Sequence, residues 1–510
     1  MASLTPQKPN ILFILTDDQG PWALAPAGNN EVITPNLTYL AQRSLLFENF
    51  FCTSPVCSPA RASLLTGRIP SQHGVHDWIR QGNIIEDEEE LDEETKCFRD
   101  GKCIEYLAGM PGYTDFLAAN GYCCGLSGKW HLGDSRQPQK GFTYWQTVPY
   151  GGSSYFNAPV IRGGKVVHDP RYLTDVITEN ALQFLAEETP NGAPFYLGVH
   201  YTAPHSPWDW RQHPAELADL YRDCPFQTCP QEPIHPWQIN SAPRGEGERR
   251  RELLTGYYAA ITGVDFSLGR LLQRLEEMGV RQNTLVIFTS DNGMNMGHHG
   301  IWGKGNGTFP FNMYDTSVKV PFLVSPPGWD HPTRCGELVS QYDFLPTLLD
   351  YLGIPNPLAE SLPGRSFAPL LRGEPLPEGS ESVVVFDEYG PVRMIRTRHW
   401  KYVHRYPYGP NELYDLVNDP EERLNRITEP AQRKTIEDLK AELDDWFLRY
   451  ADPAVDGTRE AVTGKGQLEL AGVWGRGQTA YADDWEYIDP QGNQLGKRRI
   501  TAGVGKAGDP

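Results

Sequence analysis

The chain repeats one local pattern: a short, unbroken apolar run that stops abruptly at polar residues able to do chemistry. Ile11-Leu12-Phe13-Ile14-Leu15 opens onto Thr16-Asp17-Asp18, and residues 122–126 open onto Ser127-Gly128-Lys129-Trp130-His131. Phe195-Tyr196-Leu197-Gly198-Val199 leads to His200-Tyr201-Thr202-Ala203-Pro204-His205, and residues 284–289 lead to Ser290-Asp291-Asn292-Gly293. Apolar runs of about five residues without alternation predict strands buried on both faces, as in a mostly parallel α/β sheet. Ligands of open sheets of this kind sit beyond the carboxyl ends of the strands, so four strands are expected to bring polar groups to one edge. Residues 320–324 predict a further strand, closed by Pro326-Pro327-Gly328.

Between the strands the period changes. Residues 252–278 place Leu254, Tyr258, Ile261, Leu268, Leu271, Leu272 and Leu275 largely on one helical face, and Gly279 supplies a C-terminal stop. Residues 342–352 predict another helix, and residues 353–379 turn rich in Pro and Gly, a linker composition. Beyond them, residues 383–386, 392–397, 399–405 and 412–416 read as short strands, and Ile436, Leu439, Leu443, Trp446, Phe447 and Tyr450 mark an amphipathic last helix. The fold expected is α/β: a large domain over residues 1–375, with helices flanking a central mostly parallel sheet, and a smaller α+β domain with an antiparallel sheet over 376–451. Residues 452–510 are Gly-rich and charged, with Trp474, Tyr481, Trp485 and Tyr487 interspersed. They read as an extended tail packed on its own chain or on a neighbouring copy, the second case making a homo-oligomer.

Composition narrows the partners. At 510 residues with 39% apolar content, the chain can bury a large core and is not of the disordered class. A net charge of −19 argues against nucleic acid and anionic membrane as partners, and no run of about eighteen apolar residues offers a membrane span. Residues 1–10 lack a basic region and residues 11–15 are too short for a secretory segment. The chain therefore reads as cytoplasmic and bacterial; a periplasmic or secreted protein already relieved of its leader would read the same. Nine cysteines is an odd number, and none has Cys-x-x-Cys spacing, which favours free thiols over zinc or redox pairs, with a Cys224–Cys229 disulfide as the alternative. The acidic run over residues 86–94 reads as a solvated loop, calcium binding being the minor alternative.

Asp17-Asp18 and Asp291-Asn292 supply three carboxylates and an amide oxygen, the hard ligands that calcium and magnesium prefer. Either pair alone would read as a solvated or helix-capping pair. Two such pairs, each following a buried strand, read as metal binding once they are taken together with the motif at Cys57.

The segment Cys57-Ser58-Pro59-Ala60-Arg61, followed by Leu65-Thr66-Gly67-Arg68, resembles the signature of the type I, formylglycine-dependent sulfatases of the alkaline-phosphatase-like superfamily. The likeness runs on through Gly128-Lys129-Trp130-His131-Leu132-Gly133 and Asp291-Asn292-Gly293, nearly the length of the chain. It implies that a maturation enzyme oxidises Cys57 to formylglycine. The aldehyde hydrate offers one hydroxyl to attack the sulfur of a small sulfated substrate, giving a sulfated enzyme, and a second to expel the sulfate. By the same resemblance Asp17, Asp18, Asp291, Asn292 and the modified Cys57 hold one cation, calcium with magnesium as the alternative. The cation would hold a sulfate oxygen and acidify the hydrate, and Asp291 would assist its deprotonation. Arg61 would stabilise the hydrate and the covalent intermediate, Lys129 would neutralise the sulfate oxygens, and Lys304 would be the active-site lysine expected after the second metal pair. His205 would help protonate the leaving oxygen, and His131 would take the proton of the second hydroxyl.

Substrate contacts are expected from residues around these motifs: His73, His76 and Trp78 with Asp77 after the signature, His298, His299 and Trp302 near Lys304, and Trp208 and Trp210. Two other functions share the pattern. A phosphonate monoester or phosphodiester hydrolase would use the same nucleophile, but is expected to carry histidine where Asn292 stands. A sulfoglycan-binding protein would keep the fold with Cys57 unmodified.

Overall fold

β1 (Asn10–Thr16) is buried along its whole length, and its alternate side chains enter two different cores. Ile11, Phe13 and Leu15 join the apolar cluster on one face of the sheet, while Leu12 and Ile14 join the cluster on the other. A strand covered on both faces has no polar side to alternate with, which is why it reads as a continuous apolar run. The computed structural model describes residues 8–84, 103–187, 192–377, 384–475 and 477–483, and the backbone of two short strands at Trp485–Ile488 and Gln494–Arg498. The acidic run at 86–94 and Cys97 lie outside the described residues.

The other strands of the central sheet are β2 (Leu45–Phe51), β3 (Cys123–Lys129), β4 (Tyr144–Val148), β5 (Phe195–His200), β6 (Thr284–Ser290), β7 (Lys319–Ser325) and β8 (Thr333–Ser340). Their spatial order is β8-β2-β7-β6-β1-β5-β3-β4, with β1 at the centre between β5 and β6. Only β7 runs against its neighbours. Its pairing with β2 slips between Val320 and Phe322, where Pro321 has no N–H to give to the ladder. The sheet is thus the mostly parallel one expected, extended by β2, β4 and β8, whose short or mixed patterns did not announce them.

Helices cover both faces. α1 (Cys57–Thr66) and α4 (Phe344–Tyr351) lie on the side of Phe13; α2 (Leu173–Glu187) and α3 (Gly247–Glu277) lie on the side of Leu12. α3 begins five residues before the periodic face and buries all seven predicted apolar positions, then ends where Gly279 turns left-handed at φ 68°. A second, antiparallel sheet follows: β9 (Val385–Tyr389), β10 (Val392–Arg396), β11 (Trp400–Arg405) and β12 (Glu412–Asp415). α5 (Arg433–Tyr450) lays Leu439, Leu443 and Phe447 on one face of it, against Phe386, Ile395, Tyr402 and Leu413. The opposite face, with Val385, Tyr389, Val392, Met394 and Val403, merges into the core of the large sheet.

Residues 452–475 and 477–483 pack back on the segment after α1, with Gln467 paired to Ile79 and Trp474 over Gly74. Every cysteine among the described residues is a free thiol, Cys224 and Cys229 included, so the alternative of a bridge between them does not hold. Among the described residues no helix is long and apolar enough to cross a membrane.

Candidate active site

The carboxyl ends of β1, β2, β3, β5 and β6 converge, and each contributes polar groups. β1 runs straight into Asp17 and Asp18, which are buried; Asp18 has a left-handed backbone (φ 65°) that turns the chain sharply off the strand. Its N–H donates to Asp291 Oδ1 at 3.1 Å and its carbonyl accepts from Tyr257 Oη at 2.8 Å, so the turn is held from both sides. β6 delivers Asp291, whose carbonyl accepts from Gln341 Nε2 at 2.7 Å, and Asn292, whose Nδ2 donates to Asp18 Oδ1 at 2.9 Å. β2 leads through residues 52–56 to Cys57, the first residue of α1. Ligand atoms of Asp17, Cys57 and Asp291 all lie within 4.8 Å of one another.

Three cations face the three carboxylates. Lys129 Nζ donates to Asp17 Oδ2 at 2.5 Å. Arg61 Nε donates to Asp291 Oδ2 at 2.8 Å, with Asp17 Oδ2 at 3.9 Å from its Nη2. Lys304 Nζ donates to Asp18 Oδ1 at 2.5 Å and to Cys57 Sγ at 3.4 Å. Burying six charges is costly unless each is paired, and here each is. Burial alone would raise Asp291, but Arg61 and the two lysines outweigh it and hold its carboxyl far below the usual range. Burial, with Asp291 beside it, pushes Asp17 upward. Lys304 loses solvation but gains more from Asp18 and stays above the usual lysine range.

The donor set fits a hard divalent cation. Asp17 Oδ1 and Asn292 Oδ1 are buried with no hydrogen-bond partner among the described residues, the condition of oxygens reserved for a ligand. Asp17, Asp18, Asp291 and Asn292 would hold it, together with the group at position 57. The Cys57 thiol itself is pushed up by burial, against the pull of Lys129 and Lys304. As encoded it is a protonated thiol and a poor nucleophile.

Two histidines complete the floor, and their tautomers follow from their partners. His131 Nε2 faces the Ile79 carbonyl at 2.7 Å, and a carbonyl only accepts, so Nε2 carries the hydrogen and Nδ1 the lone pair. His205 Nδ1 likewise donates to Ser206 O at 2.7 Å, leaving Nε2 toward Asp18 Oδ2 at 3.7 Å. Burial drives both downward, His205 to about 4, so both rings are neutral near pH 7. Gly151 and Gly152 lie directly over them: a Cβ at Gly151 would stand 2.2 Å from His131 Cε1, and one at Gly152 would stand 2.8 Å from His205 Cε1.

The family model described as Sulfatase matches residues 9–354, most of the chain and all the groups just described. The chain belongs to the sulfatase family. A second family model, N-sulphoglucosamine sulphohydrolase, C-terminal, matches residues 297–447. An ulvan-active sulfatase from Formosa agariphila is 31% identical over 471 residues, covering 88% of this chain and 82% of its own. The N-sulphoglucosamine sulphohydrolase of Homo sapiens is 27% identical over 523 residues, covering 88% of this chain and 93% of its own. A solved structure described as a complex with its substrate D-glucosamine-2-N,6-O-disulfate superposes with a TM-score of 0.71 at 22% identity, over 88% of this chain and 99% of the other. The phosphonate monoester hydrolase of Agrobacterium radiobacter superposes with a TM-score of 0.61 at 21% identity, over 86% and 96%, a likeness of fold. This sulfatase is a sulfuric ester hydrolase of the alkaline-phosphatase-like superfamily.

The remaining candidates of the sulfatase are placed less centrally. His73 is buried with both ring nitrogens engaged, by Ser63 Oγ at 3.0 Å and the Val75 N–H at 3.1 Å, and has no nitrogen left for a substrate. His76 is buried and donates through Nε2 to Val455 O at 2.8 Å. Asp77 accepts from Tyr389 Oη at 2.6 Å. Trp78 is partly buried and donates to Gly464 O at 3.1 Å. His298 packs at a tilt against Trp22, ring centroids 4.6 Å apart, and His299 stacks on Tyr314 at 3.8 Å, while Trp302 is buried beneath Gly245. Trp208 is buried on Pro204 O, and Trp210 is exposed.

Several groups that shape the site carry no local signal in the sequence. Gln341, Tyr257 and Ser58 act through hydrogen bonds to distant backbone groups, and the Gly151-Gly152 pair by the absence of a side chain, which no periodicity records. His200, at the end of β5, is one that the strand-end pattern did expose: its Nδ1 lies 3.2 Å from Lys129 O.

Proposed function

We propose that this sulfatase hydrolyses a sulfate monoester of a carbohydrate to the alcohol and inorganic sulfate, with Cys57 converted to formylglycine. The observation that carries the reading is the position of Cys57, at the start of α1, with Lys304 Nζ at 3.4 Å and the carboxylates of Asp17 and Asp291 in the same cluster. Cys57 is 3% exposed, so conversion by a formylglycine-generating or equivalent enzyme has to precede folding.

The aldehyde hydrate supplies two hydroxyls on one carbon: one bonds to sulfur as the ester S–O bond breaks, and proton loss from the other breaks the C–O bond to sulfate and restores the aldehyde. A calcium ion held by Asp17, Asp18, Asp291 and Asn292, with magnesium as the alternative, supplies Lewis acidity. The chain's own groups do the rest. Lys129 and Lys304 stabilise charge on the sulfate oxygens in a site where water does not screen it. Arg61 holds Asp291 ionised and in place, so that its carboxylate can accept a hydrogen bond from the attacking hydroxyl and orient it. His205, whose neutral ring carries its hydrogen on Nδ1, takes up the proton released by the attacking hydroxyl at Nε2 and passes it to the departing sugar oxygen, and His131 accepts the second hydroxyl's proton at Nδ1.

The carbohydrate assignment is supported by the relatives, named for activity on ulvan and on N-sulphoglucosamine, and by the structure in complex with a disulfated glucosamine. A panel of sulfated mono- and disaccharides, with an aryl sulfate and an aryl phosphonate in parallel, tests it by release of sulfate. The reading expects a sulfated sugar to give the highest kcat/KM; a larger value on the phosphonate would replace it with the phosphonate reading.

A further inference from the structure

His131 owes its tautomer to one carbonyl, and that carbonyl is held by the far end of the chain. Ile79 O accepts from His131 Nε2, and the Ile79 N–H donates to Ser58 Oγ at 3.0 Å; Ser58 Oγ in turn donates to His131 O at 3.0 Å. The segment around Ile79, residues 74–80, belongs to no helix and has no strand partner in the large sheet. What fixes it is Gln467. The buried Gln467 side chain accepts from the His76 N–H at 2.9 Å through Oε1 and donates to Gly74 O at 2.9 Å through Nε2. Its backbone N–H donates to Trp78 O at 2.7 Å, and its carbonyl accepts from the Arg80 N–H at 2.8 Å. One residue therefore grips every second position from 74 to 80, on both sides of Ile79.

The surrounding tail reinforces this grip. The Gly466 N–H donates to Asp77 Oδ2 at 3.1 Å. Gly464 O accepts from Trp78 Nε1 and, at 3.2 Å, from Asn306 Nδ2, two residues beyond Lys304. Gln467 is itself backed by Tyr481, which bridges it from the returning chain. The two family-model matches end at residues 354 and 447, so this tail lies outside both.

We propose that Gln467 is a positioning residue for His131: through Ile79 it keeps hydrogen on Nε2 and the proton-accepting lone pair on Nδ1. The proposal rests on the role given to His131 above, acceptance of the proton whose loss releases sulfate. It makes a kinetic distinction. A fault confined to sulfate release lowers kcat and KM together, leaves kcat/KM unchanged, and leaves the first turnover fast.

The test is Gln467→Leu, which keeps bulk and the backbone bonds but removes every side-chain bond, those to the Asp77 N–H at 3.4 Å and Glu469 O at 3.0 Å included. Enzyme of measured formylglycine content is mixed rapidly with a chromogenic aryl sulfate. The expected result is a burst of about one phenol per converted site, followed by turnover slowed about 10- to 100-fold, with KM lowered by the same factor. Unchanged kcat, or a loss of kcat at constant KM with a burst reduced in proportion, would overturn the proposal, because the second pattern marks a smaller active fraction. Gln467→Glu, which keeps shape and the acceptor for His76, is read by the same criterion if the leucine variant does not fold. His131→Ala separates the two levels: loss of its burst would refute the role of His131 itself. A normal burst there, with no fall of KM in Gln467→Leu, would refute the tail's role alone.

Discussion

Lys304 Nζ donates to the Cys57 sulfur across 3.4 Å while holding Asp18 Oδ1 at 2.5 Å. A lysine from a loop beyond β6 thus joins position 57 to the Asp18 carboxylate, in a pocket where an ammonium is worth far more than in water. Lys304→Met is expected to lower kcat/KM by about 10²- to 10³-fold, the scale of one charge-stabilising group. Assay of converted enzyme checks this, and retention within threefold would remove Lys304 from the mechanism.

Three buried carboxylates at one strand edge repel each other unless countered, and the three cations counter only part of each oxygen set. Removal of calcium with a chelator is expected to abolish turnover and to lower the unfolding midpoint. At 100 to 1,000 times Kd, restored calcium returns roughly 3–4 kcal/mol of stability. Asp17→Asn should bind the ion more weakly and show a smaller calcium-dependent shift. A midpoint indifferent to both chelator and calcium would show that the oxygens are not a metal site.

Gly151 adopts a backbone open to any residue, so the effect of a side chain there falls on its neighbour. Gly151→Ala places a methyl 2.2 Å from His131 Cε1 and must displace the ring. Turnover is expected to fall at least tenfold, the low end for a general base moved off its mark, with the unfolding midpoint little changed. Normal activity would mean that the ring has room to yield.

How far the sequence foretold this arrangement depended on whether a feature is local. The four apolar runs had to be continuous because both sheet faces are covered, and so they marked the strands and the edge where Asp17, Lys129, His205 and Asp291 gather. The Cys57 and Lys304 loops reach that edge as their motifs implied. β2, with Glu48 and Asn49 facing outward, and the bulged β7–β2 pairing left no such run. Aromatic and imidazole side chains near motifs were ambiguous for a physical reason: a ring that packs and a ring that binds have the same composition. His298, His299 and Trp302, expected to meet substrate, pack against Trp22, Tyr314 and Gly245. Gln467 could not be found at all, since its partners lie nearly 400 residues away.

His213 offers a pH test away from the carboxylates of Asp17, Asp18 and Asp291. It is buried against Tyr155, its Nδ1 pairs with Tyr172 Oη at 3.0 Å, and burial pushes it down to about 3. Its folded pKa lies below the unfolded 6.5, so the neutral ring's contribution is full above pH 6.5 and is lost as pH falls toward 3. Compared with His213→Phe, the wild type should lose about 2–3 kcal/mol of unfolding free energy between pH 7 and pH 4.5, at ~1.4 kcal/mol per unit. Denaturant curves of both proteins at the two pH values check the difference, and equal slopes would contradict a buried neutral imidazole.

Everything proposed for turnover depends on the chemical state of residue 57. The direct measurement is mass spectrometry of the peptide containing Cys57, on protein made with maturation machinery and fractionated by activity. The account predicts a peptide roughly 18 Da lighter than the thiol form, in proportion to kcat across the fractions, and no turnover in Cys57→Ala. Full turnover from protein whose Cys57 is still a thiol would contradict it.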